Sequence, residues 1–232
     1  MIAAAGSGER LGAGGPKAFV ELAGRPLIEH SLAAVAAART VSTLVVAVPA
    51  ELVDPTRQRL GGRDGPPVTV LAGGASRAES VREALAAVAT DLVAIHDAAR
   101  PLAPAPLFDA VVERLAAAPG ASAAIAATPV RDTVKRSAER NDAGGGEVAE
   151  TMAREYLWAA QTPQAFRTAA LRTAQQTAAA TGRLSGATDE ASLIEAAGGT
   201  VLLEPSTAHN LKVTTAEDLR IAAALLGGSG GV

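Results

Sequence analysis

The chain of 232 residues contains no cysteine. Disulfide bonds, thiolate nucleophiles and cysteine-ligated zinc are therefore excluded from its chemistry. Its three histidines, His30, His96 and His209, lie far apart and match no zinc-binding spacing.

Aromatic residues make up only 2% of the chain, too few for a row of side chains that stacks single-stranded bases. The net charge is -3 at pH 7, without the basic surplus of a typical nucleic-acid-binding protein. We therefore expect no nucleic-acid partner. With 48% hydrophobic and 19% charged residues, the sequence predicts a packed core of Ala, Val, Leu and Ile.

The sequence also lacks the patterns of export and membrane insertion. Its first residues show no charged region followed by an apolar run. The most apolar segments are as short as strands, or are interrupted by Pro, Gly or charge. We therefore expect no signal peptide, no membrane span and a cytoplasmic location.

Apolar runs alternate with helix-like segments along the chain. Five runs are typical of strands buried on both faces of a parallel sheet: residues 43–49, 67–73, 91–97, 121–130 and 200–205. Six other segments have the periodicity or end signals of helices: residues 25–38, 76–89, 104–118, 162–182, 188–199 and 214–226. The expected caps are Ser76 with Glu79, Thr162, Thr188, and Thr214 with Glu217. This alternation predicts one α/β domain over residues 1–232 with a doubly wound, mostly parallel sheet, and a flexible tail over residues 227–232.

One segment interrupts the alternation. Two strand-like pieces, residues 132–136 and 147–152, are joined by a polar, glycine-rich stretch. They predict a hairpin, residues 131–155, which we call the arm. Because an isolated two-stranded ribbon is only marginally stable, we expect the arm to pack on a second subunit. A disordered loop is the alternative.

The glycine loop, GSGERLGAGGPK at residues 6–17, has the composition of an anion cradle. A dinucleotide-binding fingerprint would need glycine in place of Leu11, and a P-loop would not flank Lys17 with Pro16 and Ala18. Arg10 and Lys17 are cations suited to phosphate oxygens, although a solvated surface loop is the alternative. Only MIAAA precedes the loop, so we expect a short first strand, either trimmed or lacking upstream residues.

Seven motifs, in order along nearly the whole chain, resemble the family of 2-C-methyl-D-erythritol 4-phosphate cytidylyltransferases of non-mevalonate isoprenoid biosynthesis. They are AAGSGERLGAGGPK (4–17), GGASRAESV (73–81), HDAARP (96–101), TPVRDTVKR (128–136), RxxLWxxQTPQAF (154–166), TDEAS (188–192) and NLKVT (210–214). The resemblance implies a Rossmann-like nucleotidyltransferase fold and CMP transfer from CTP. Some members carry a fused second enzyme, and we expect that activity to be absent from this chain.

The resemblance also implies a CTP site. The residues matching the triphosphate site are Gly6, Ser7, Gly8, Arg10 and Lys17. Arg10 and Lys17 would stabilise the transition state at the α-phosphorus. The residues matching the surroundings of the cytosine and ribose are Gly73, Gly74, Arg77 and Ser80. Without the resemblance, Ser80 would be interpreted as a solvent-facing helix residue.

The acceptor side is implied in the same way. Asp97 would bind a substrate hydroxyl or Mg²⁺, which would be held mainly by the CTP phosphates; a buried capping aspartate is the alternative. The other residues implied to face the acceptor are Arg100, Thr133, Arg154, Thr188 and Lys212. In the family, the equivalents of Thr133 and Arg154 come from the partner's arm, which implies a homodimer. His96 is expected to be structural.

Two positions depart from the family pattern. Ala18 stands where glutamine is usual, and Ala75 where an acidic side chain is common. Either change would weaken selectivity for CTP, but neither removes a cation of the implied mechanism. Two alternatives stay open: a cytidylyltransferase for another polyol phosphate such as ribitol 5-phosphate, and a non-catalytic nucleotide-binding module.

Overall fold

The computed structural model describes residues 1–6, 15–139 and 145–228. Within these ranges the strands are β1 (Ile2–Ala3), β2 (Glu21–Leu22), β3 (Arg25–Pro26), β4 (Leu44–Val48), β5 (Val68–Ala72), β6 (Leu92–Asp97), β7 (Ala123–Pro129), β8 (Lys135–Ser137), β9 (Val148–Thr151), β10 (Trp158–Arg167) and β11 (Val201–Pro205). The α-helices there are α1 (Leu27–Ala37), α2 (Val53–Leu60), α3 (Arg77–Ala86), α4 (Ala105–Ala116), α5 (Thr168–Ala180), α6 (Glu190–Ala196) and α7 (Ala216–Gly228).

Seven strands form the central sheet in the order β11-β7-β10-β6-β1-β4-β5. β10 runs antiparallel to both of its neighbours, while the other adjacent pairs are parallel. The short β1 lies between β4 and β6, where Ile2 is paired with Val46 and His96. The prediction of a mostly parallel α/β sheet is confirmed.

The core lies on both faces of this sheet, as the alternation of side chains along a strand requires. In β4, Val45 and Ala47 pack in the cluster formed with α3, α5 and α6. Leu44, Val46 and Val48 pack on the opposite face, with residues of α1, α2 and α4. The predicted strands β4, β6 and β7 are largely buried, which agrees with their continuously apolar sequences. The expected burial on both faces is wrong for β5 and β11, which are partly exposed because they form the two edges of the sheet.

The prediction of a helix over residues 162–182 is wrong for the first part of that segment. Residues 158–167 form β10, and the helix begins only at Thr168. The six residues 161–166 are all buried, which suits a strand between two neighbours rather than the half-exposed first turn of a helix. Pro163 lies where the register with β7 shifts, a position at which a strand tolerates a proline.

Two predicted caps are also displaced by one residue. Asp189, not Thr188, caps α6 and accepts a hydrogen bond from the Ser192 amide. At α7, Thr215 and Asp218 exchange the two hydrogen bonds of a capping box, in place of Thr214 and Glu217. The predicted tail is shorter too, because residues 227 and 228 belong to α7 and residues 229–232 lie outside the described ranges.

The arm contains the two predicted strands. β8 and β9 form a separate antiparallel pair in which Lys135 lies opposite Thr151 and Arg136 opposite Glu150. All residues of both strands are exposed, including Val148 at 54%. This exposure leaves the apolar Val148 side chain largely uncovered by the described part of the chain. Residues 140–144, between the strands, lie outside the described ranges.

In the part of the chain that the structure covers, we find no helix with both the length and the apolar character needed to cross a bilayer.

The capping box of α3 provides a test of the fold. The Ser76 hydroxyl accepts a hydrogen bond from the Glu79 amide, and the Glu79 carboxylate accepts one from the Ser76 amide. We expect Ser76→Ala to lower the free energy of unfolding by about 1 kcal/mol, measured by urea denaturation. The matched control is Ser185→Ala at an exposed position, which should change stability by less than ~0.5 kcal/mol. Equal effects of the two substitutions would contradict the cap.

Candidate active site at the carboxyl edge of the sheet

A cleft of about 760 Å³ opens at the carboxyl ends of β1, β5 and β6. Ligands of open α/β sheets bind at this edge because the loops there diverge to opposite faces. The residues that line the cleft are Ala3, Ala4, Ala5, Gly6, Lys17, Ala18, Gly74, Ala75, Ser76, Arg77, Ser80, Asp97, Ala98, Ala99, Lys212 and Thr214. Three of the lining side chains are cations, so the cleft is suited to an anion.

The two ends of the glycine loop meet at this cleft. The Lys17 amide donates a hydrogen bond to the Gly6 carbonyl at 3.3 Å, and Lys17 begins a 3₁₀ turn that ends at Phe19. Ala18, the middle residue of this turn, is buried and packs in the core, which holds the turn in place. Ser7, Gly8 and Arg10 lie outside the described residues.

The turn after β5 requires two glycines. A Cβ on Gly73 would lie 2.5 Å from the Ala5 Cβ and 2.6 Å from the Ser80 Oγ, and one on Gly74 would lie 2.5 Å from the Glu79 Cβ. The absence of side chains therefore allows α3 to begin directly against the end of β1. The Ser80 hydroxyl is buried and lies 2.8 Å from the Ser76 carbonyl oxygen. The interpretation of Ser80 as solvent-facing is wrong.

Asp97, the last residue of β6, is the buried carboxylate of the cleft. Its Oδ1 accepts a hydrogen bond from Arg77 Nε at 2.8 Å, and its Oδ2 accepts one from Lys212 Nζ at 2.7 Å. Burial alone would raise the pKa of Asp97, but the two cations outweigh burial and hold the pKa well below its usual range. Asp97 is therefore ionised at neutral pH.

Lys212 reaches Asp97 because its neighbour is fixed. The Val213 side chain is fully buried in the cluster with Leu22, Leu27 and Ala222, and its amide donates to the Ala99 carbonyl at 2.8 Å. The Lys212 side chain itself is 40% exposed. A lysine with one partner and an open side is free to approach an arriving phosphate without leaving the site.

Sequence reasoning missed one charged residue of the site. Glu190, the first residue of α6, is only 1% exposed and accepts hydrogen bonds from Arg77 Nη1 at 2.7 and 2.9 Å. Burial raises the pKa of Glu190. Burial would lower the pKa of Arg77, but Asp97 and Glu190 together raise it. The TDEAS motif marks this segment, yet no local pattern links Glu190 to a residue 113 positions away.

His96 is structural, as expected, and its tautomer follows from its partners. Its Nε2 lies 3.1 Å from the Arg100 carbonyl oxygen, which can only accept, so Nε2 carries the proton. Nδ1 then accepts from the Thr162 hydroxyl at 3.0 Å, while the Thr162 oxygen accepts from the Asp97 amide at 3.1 Å. Desolvation by burial lowers the pKa of His96 to about 4, so a neutral ring supports the backbone of Asp97.

The acceptor-side residues are not all brought together within one chain. Arg100 donates to the carbonyls of Asn210 and Ala160, at 2.7 and 3.3 Å, and so ties the segment before Lys212 to β10. Thr188 is exposed and does not line the cleft.

Thr133 and Arg154 lie in the arm, where Arg154 Nη1 donates to the Arg131 carbonyl. Neither residue lines the cleft of its own chain. Their expected contact with a substrate stays a prediction, as do the contacts expected of Arg100 and Thr188.

The neutral state of His96 predicts a pH dependence of stability. Because folding depresses the pKa of His96 from 6.5 to about 4, its contribution is fully present above pH 6.5 and is lost as the pH falls toward 4. As the pH falls from 6.5 toward 4, protonation of His96 should lower the unfolding free energy of wild type by roughly 3 kcal/mol. The His96→Gln variant should not show this loss. Urea denaturation at stepped pH measures the difference between the two slopes.

The exposed His209→Gln is the matched control and should keep the wild-type pH dependence. Equal slopes for wild type and His96→Gln would mean that the buried ring is protonated in the folded protein.

Comparison with known proteins agrees with this geometry. Residues 1–228 match the family model of 2-C-methyl-D-erythritol 4-phosphate cytidylyltransferase. Proteins of that name from Frankia casuarinae and Deinococcus radiodurans are both 44% identical, over 97% and 98% of this chain and 80% and 88% of their own lengths. A "Bifunctional enzyme IspD/IspF" from Anaeromyxobacter dehalogenans is 45% identical over 97% of this chain, which spans 56% of that protein.

Solved structures agree as well. The 2-C-methyl-D-erythritol 4-phosphate cytidylyltransferase of Thermus thermophilus is similar with a TM-score of 0.73 and 35% identity, over 97% of this chain and 96% of that one. The 4-diphosphocytidyl-2C-methyl-D-erythritol synthase of Anaerococcus prevotii has a TM-score of 0.81 and 29% identity, with the same coverage. The resemblance and the α/β nucleotidyltransferase fold are confirmed: the chain belongs to the 2-C-methyl-D-erythritol 4-phosphate cytidylyltransferase family, a family of nucleotidyltransferase enzymes.

Proposed function

We propose that this chain transfers the cytidylyl group of CTP to 2-C-methyl-D-erythritol 4-phosphate. A phosphate oxygen of the acceptor bonds to the α-phosphorus of CTP as the bond from that phosphorus to the β-phosphate oxygen breaks. The products are 4-diphosphocytidyl-2-C-methyl-D-erythritol and pyrophosphate. The observation that carries the proposal is the cleft, in which Lys17, Arg77, Asp97 and Lys212 converge at the carboxyl edge of a nucleotidyltransferase sheet.

The nucleotide side of the cleft is the part near the glycine loop. Gly6 and Lys17 lie at the two ends of that loop, and we propose that the triphosphate is bound there, with Ser7, Gly8 and Arg10 of the loop. Lys17 is a compact charge that can follow negative charge onto the α-phosphorus as the bonds change.

With the triphosphate at the glycine loop, the cytosine and ribose would lie against the turn after β5. Gly74 lines the cleft without a side chain, Gly73 allows the close approach of Ala5, and Ser80 fixes the turn through its hydrogen bonds. Ala75 and Ala18 line the same cleft without a polar side chain. Recognition of the base would therefore depend on backbone groups, which agrees with the expected weaker selectivity at these two positions.

The acceptor side would be formed around Lys212. This lysine has an open side and is positioned by the buried Val213, so we propose that it binds the acceptor phosphate. Thr188 and Arg100 lie on the segments that frame this end. Thr133 and Arg154 do not line the cleft of their own chain, and we propose that they reach the cleft of a partner in a homodimer.

The arm supports that dimer. Its exposed strands and the exposed aromatic residues beside it, Tyr156 at 81% and Trp158 at 37%, leave apolar surface uncovered. A symmetric pair of chains would cover this surface and place each arm against the other cleft.

The residues of the cleft fit Mg²⁺ only as a partial site. Across the three described ranges, no group of three or more His, Asp or Glu side chains is arranged to hold a metal. Mg²⁺ bound with nucleotides commonly takes one or two carboxylates, and its other ligands are phosphate oxygens and water. Asp97 is ionised, and each of its oxygens can accept a further partner, so we propose that it is that carboxylate. Bound Mg²⁺ would neutralise charge on the triphosphate.

The chemistry requires no covalent intermediate and no strong base. The acceptor phosphate is already an anion, so the protein has to align it with the α-phosphorus and stabilise the developing charge. The chain contains no cysteine, and His96 is neutral and engaged on both nitrogens. We propose that the cations of the cleft do this together with bound Mg²⁺ and the partner's arm. A cytoplasmic location stays a prediction.

Pyrophosphate release tests the substrate assignment. With CTP and Mg²⁺, we expect rapid release with 2-C-methyl-D-erythritol 4-phosphate and little with ribitol 5-phosphate, measured by a coupled pyrophosphate assay. Release with ribitol 5-phosphate alone would instead support the other polyol phosphate. No release with either acceptor, together with binding of CTP, would support the nucleotide-binding module.

Complementation between two inactive variants tests the contribution of the arm. We expect Lys17→Ala and Arg154→Ala each to be nearly inactive alone. In a mixed dimer, the intact cleft of the Arg154→Ala subunit would receive the intact arm of the Lys17→Ala subunit. Co-expressed variants should therefore recover about a quarter of the wild-type rate, since half of the dimers are mixed and each has one complete site.

The control pairs Lys17→Ala with Lys212→Ala. Both residues line the cleft of the same chain, so the mixed dimer has no complete site and should stay inactive. If the Lys17→Ala and Arg154→Ala mixture recovers no more activity than this control, the arm does not act on a partner's cleft.

A further inference from the structure

Four charged side chains form an alternating line from the cleft into the protein. Lys212 pairs with Asp97, Asp97 with Arg77, and Arg77 with Glu190, at closest distances of 2.7, 2.8 and 2.7 Å. The two ends differ in exposure: the Lys212 side chain is 40% exposed and the Glu190 side chain 1%. Glu190 does not line the cleft, so it reaches a substrate only through Arg77.

The backbone fixes Glu190 independently of Arg77. Asp189 caps α6 through its Oδ1, which accepts from the Ser192 amide at 2.9 Å. The other oxygen of Asp189 accepts from Gln164 Nε2 on β10, also at 2.9 Å. The start of α6 is therefore held on the central sheet, and the Glu190 carboxylate has a fixed place beneath α3.

Arg77 needs such a support. An arginine side chain has several rotatable bonds, and fixing them costs conformational entropy. Arg77 donates through Nε to Asp97 and through Nη1 to both oxygens of Glu190, so two carboxylates define the plane of its guanidinium. Without Glu190, the hydrogen bond from Nε to Asp97 would be the one described carboxylate contact left to Arg77. The guanidinium could then turn about that contact, and it would no longer fix the direction of the Asp97 carboxylate.

We propose that Glu190 is a positioning residue for the cytidylyl transfer: it fixes the guanidinium of Arg77, and through it the direction of the Asp97 carboxylate. This inference rests on the proposed function. Glu190 also balances charge, because Lys212 and Arg77 are matched by Asp97 and Glu190. The line is neutral before substrates bind, and its outer end, Lys212, is the most exposed of the four side chains.

The charge balance separates this role from a merely structural one. Glu190→Gln keeps the shape of the side chain but gives the line a net positive charge. Anionic CTP should then bind as well as before or more tightly, whereas turnover should fall because Asp97 is less well oriented. A substitution that only loosened the fold would weaken binding and turnover together.

A double-mutant cycle measures this role. We compare wild type, Glu190→Gln, Arg77→Met and the double variant by kcat, by both KM values, by calorimetric CTP affinity and by Tm. We expect Glu190→Gln to lower kcat roughly tenfold or more without weakening CTP binding. In the Arg77→Met background it should cause no further loss of kcat, because Glu190 acts through Arg77. It should also raise Tm there, since it removes a buried, unpaired charge. The control is Glu195→Gln at an exposed position of α6, which should behave as wild type.

Three results would overturn the inference: wild-type kcat in Glu190→Gln, equal losses of kcat and CTP affinity, or a further loss of kcat in the Arg77→Met background. If Glu190→Gln alone fails to fold, the comparison of the double variant with Arg77→Met decides, by kcat and by Tm. Failure of the proposed function is a separate result, in which wild type itself releases no pyrophosphate with either acceptor.

Discussion

The candidate site depends on one buried carboxylate that stays ionised. Asp97 ends a strand in the middle of the sheet, where burial opposes its charge, and Arg77 and Lys212 overcome that opposition from two sides. The backbone of Asp97 is fixed from behind by Thr162 and the neutral His96. The cleft is thus organised around a negative charge, although its expected ligands are anions. That charge holds Arg77 and Lys212 in place through two ion pairs.

The rest of the fold serves to bring distant segments to this point. Arg77 comes from the start of α3, Lys212 from the segment before α7, and Glu190 from the start of α6. Each is held by local packing: two glycines for α3, the buried Val213 for Lys212, and the Asp189 cap for Glu190. The chain belongs to the 2-C-methyl-D-erythritol 4-phosphate cytidylyltransferase family, and the proposed function assigns this cluster of charges to the binding and alignment of its substrates.

Short sequence patterns predicted those features of the fold that depend on residues close together in the chain. The apolar runs identified five strands of the sheet, and Ser76 with Glu79 identified the start of α3. The position of Asp97 at the carboxyl end of β6 followed from the same pattern. The strand around Pro163 was missed because its buried residues include Gln161, Thr162 and Gln164, so no continuous apolar run marks it. Glu190 was missed for a different reason, since its partner Arg77 is distant in sequence and becomes a neighbour only after folding.

The central claim is that the acceptor phosphate itself attacks the α-phosphorus of CTP. An acceptor carrying heavy-oxygen labels on its phosphate, followed by phosphorus NMR of the products, tests this claim most directly. The account predicts that every label stays in the nucleotide product, with one labelled oxygen bridging the two phosphorus atoms, and that the pyrophosphate is unlabelled. Labelled pyrophosphate, or an unlabelled cytidine product, would contradict it.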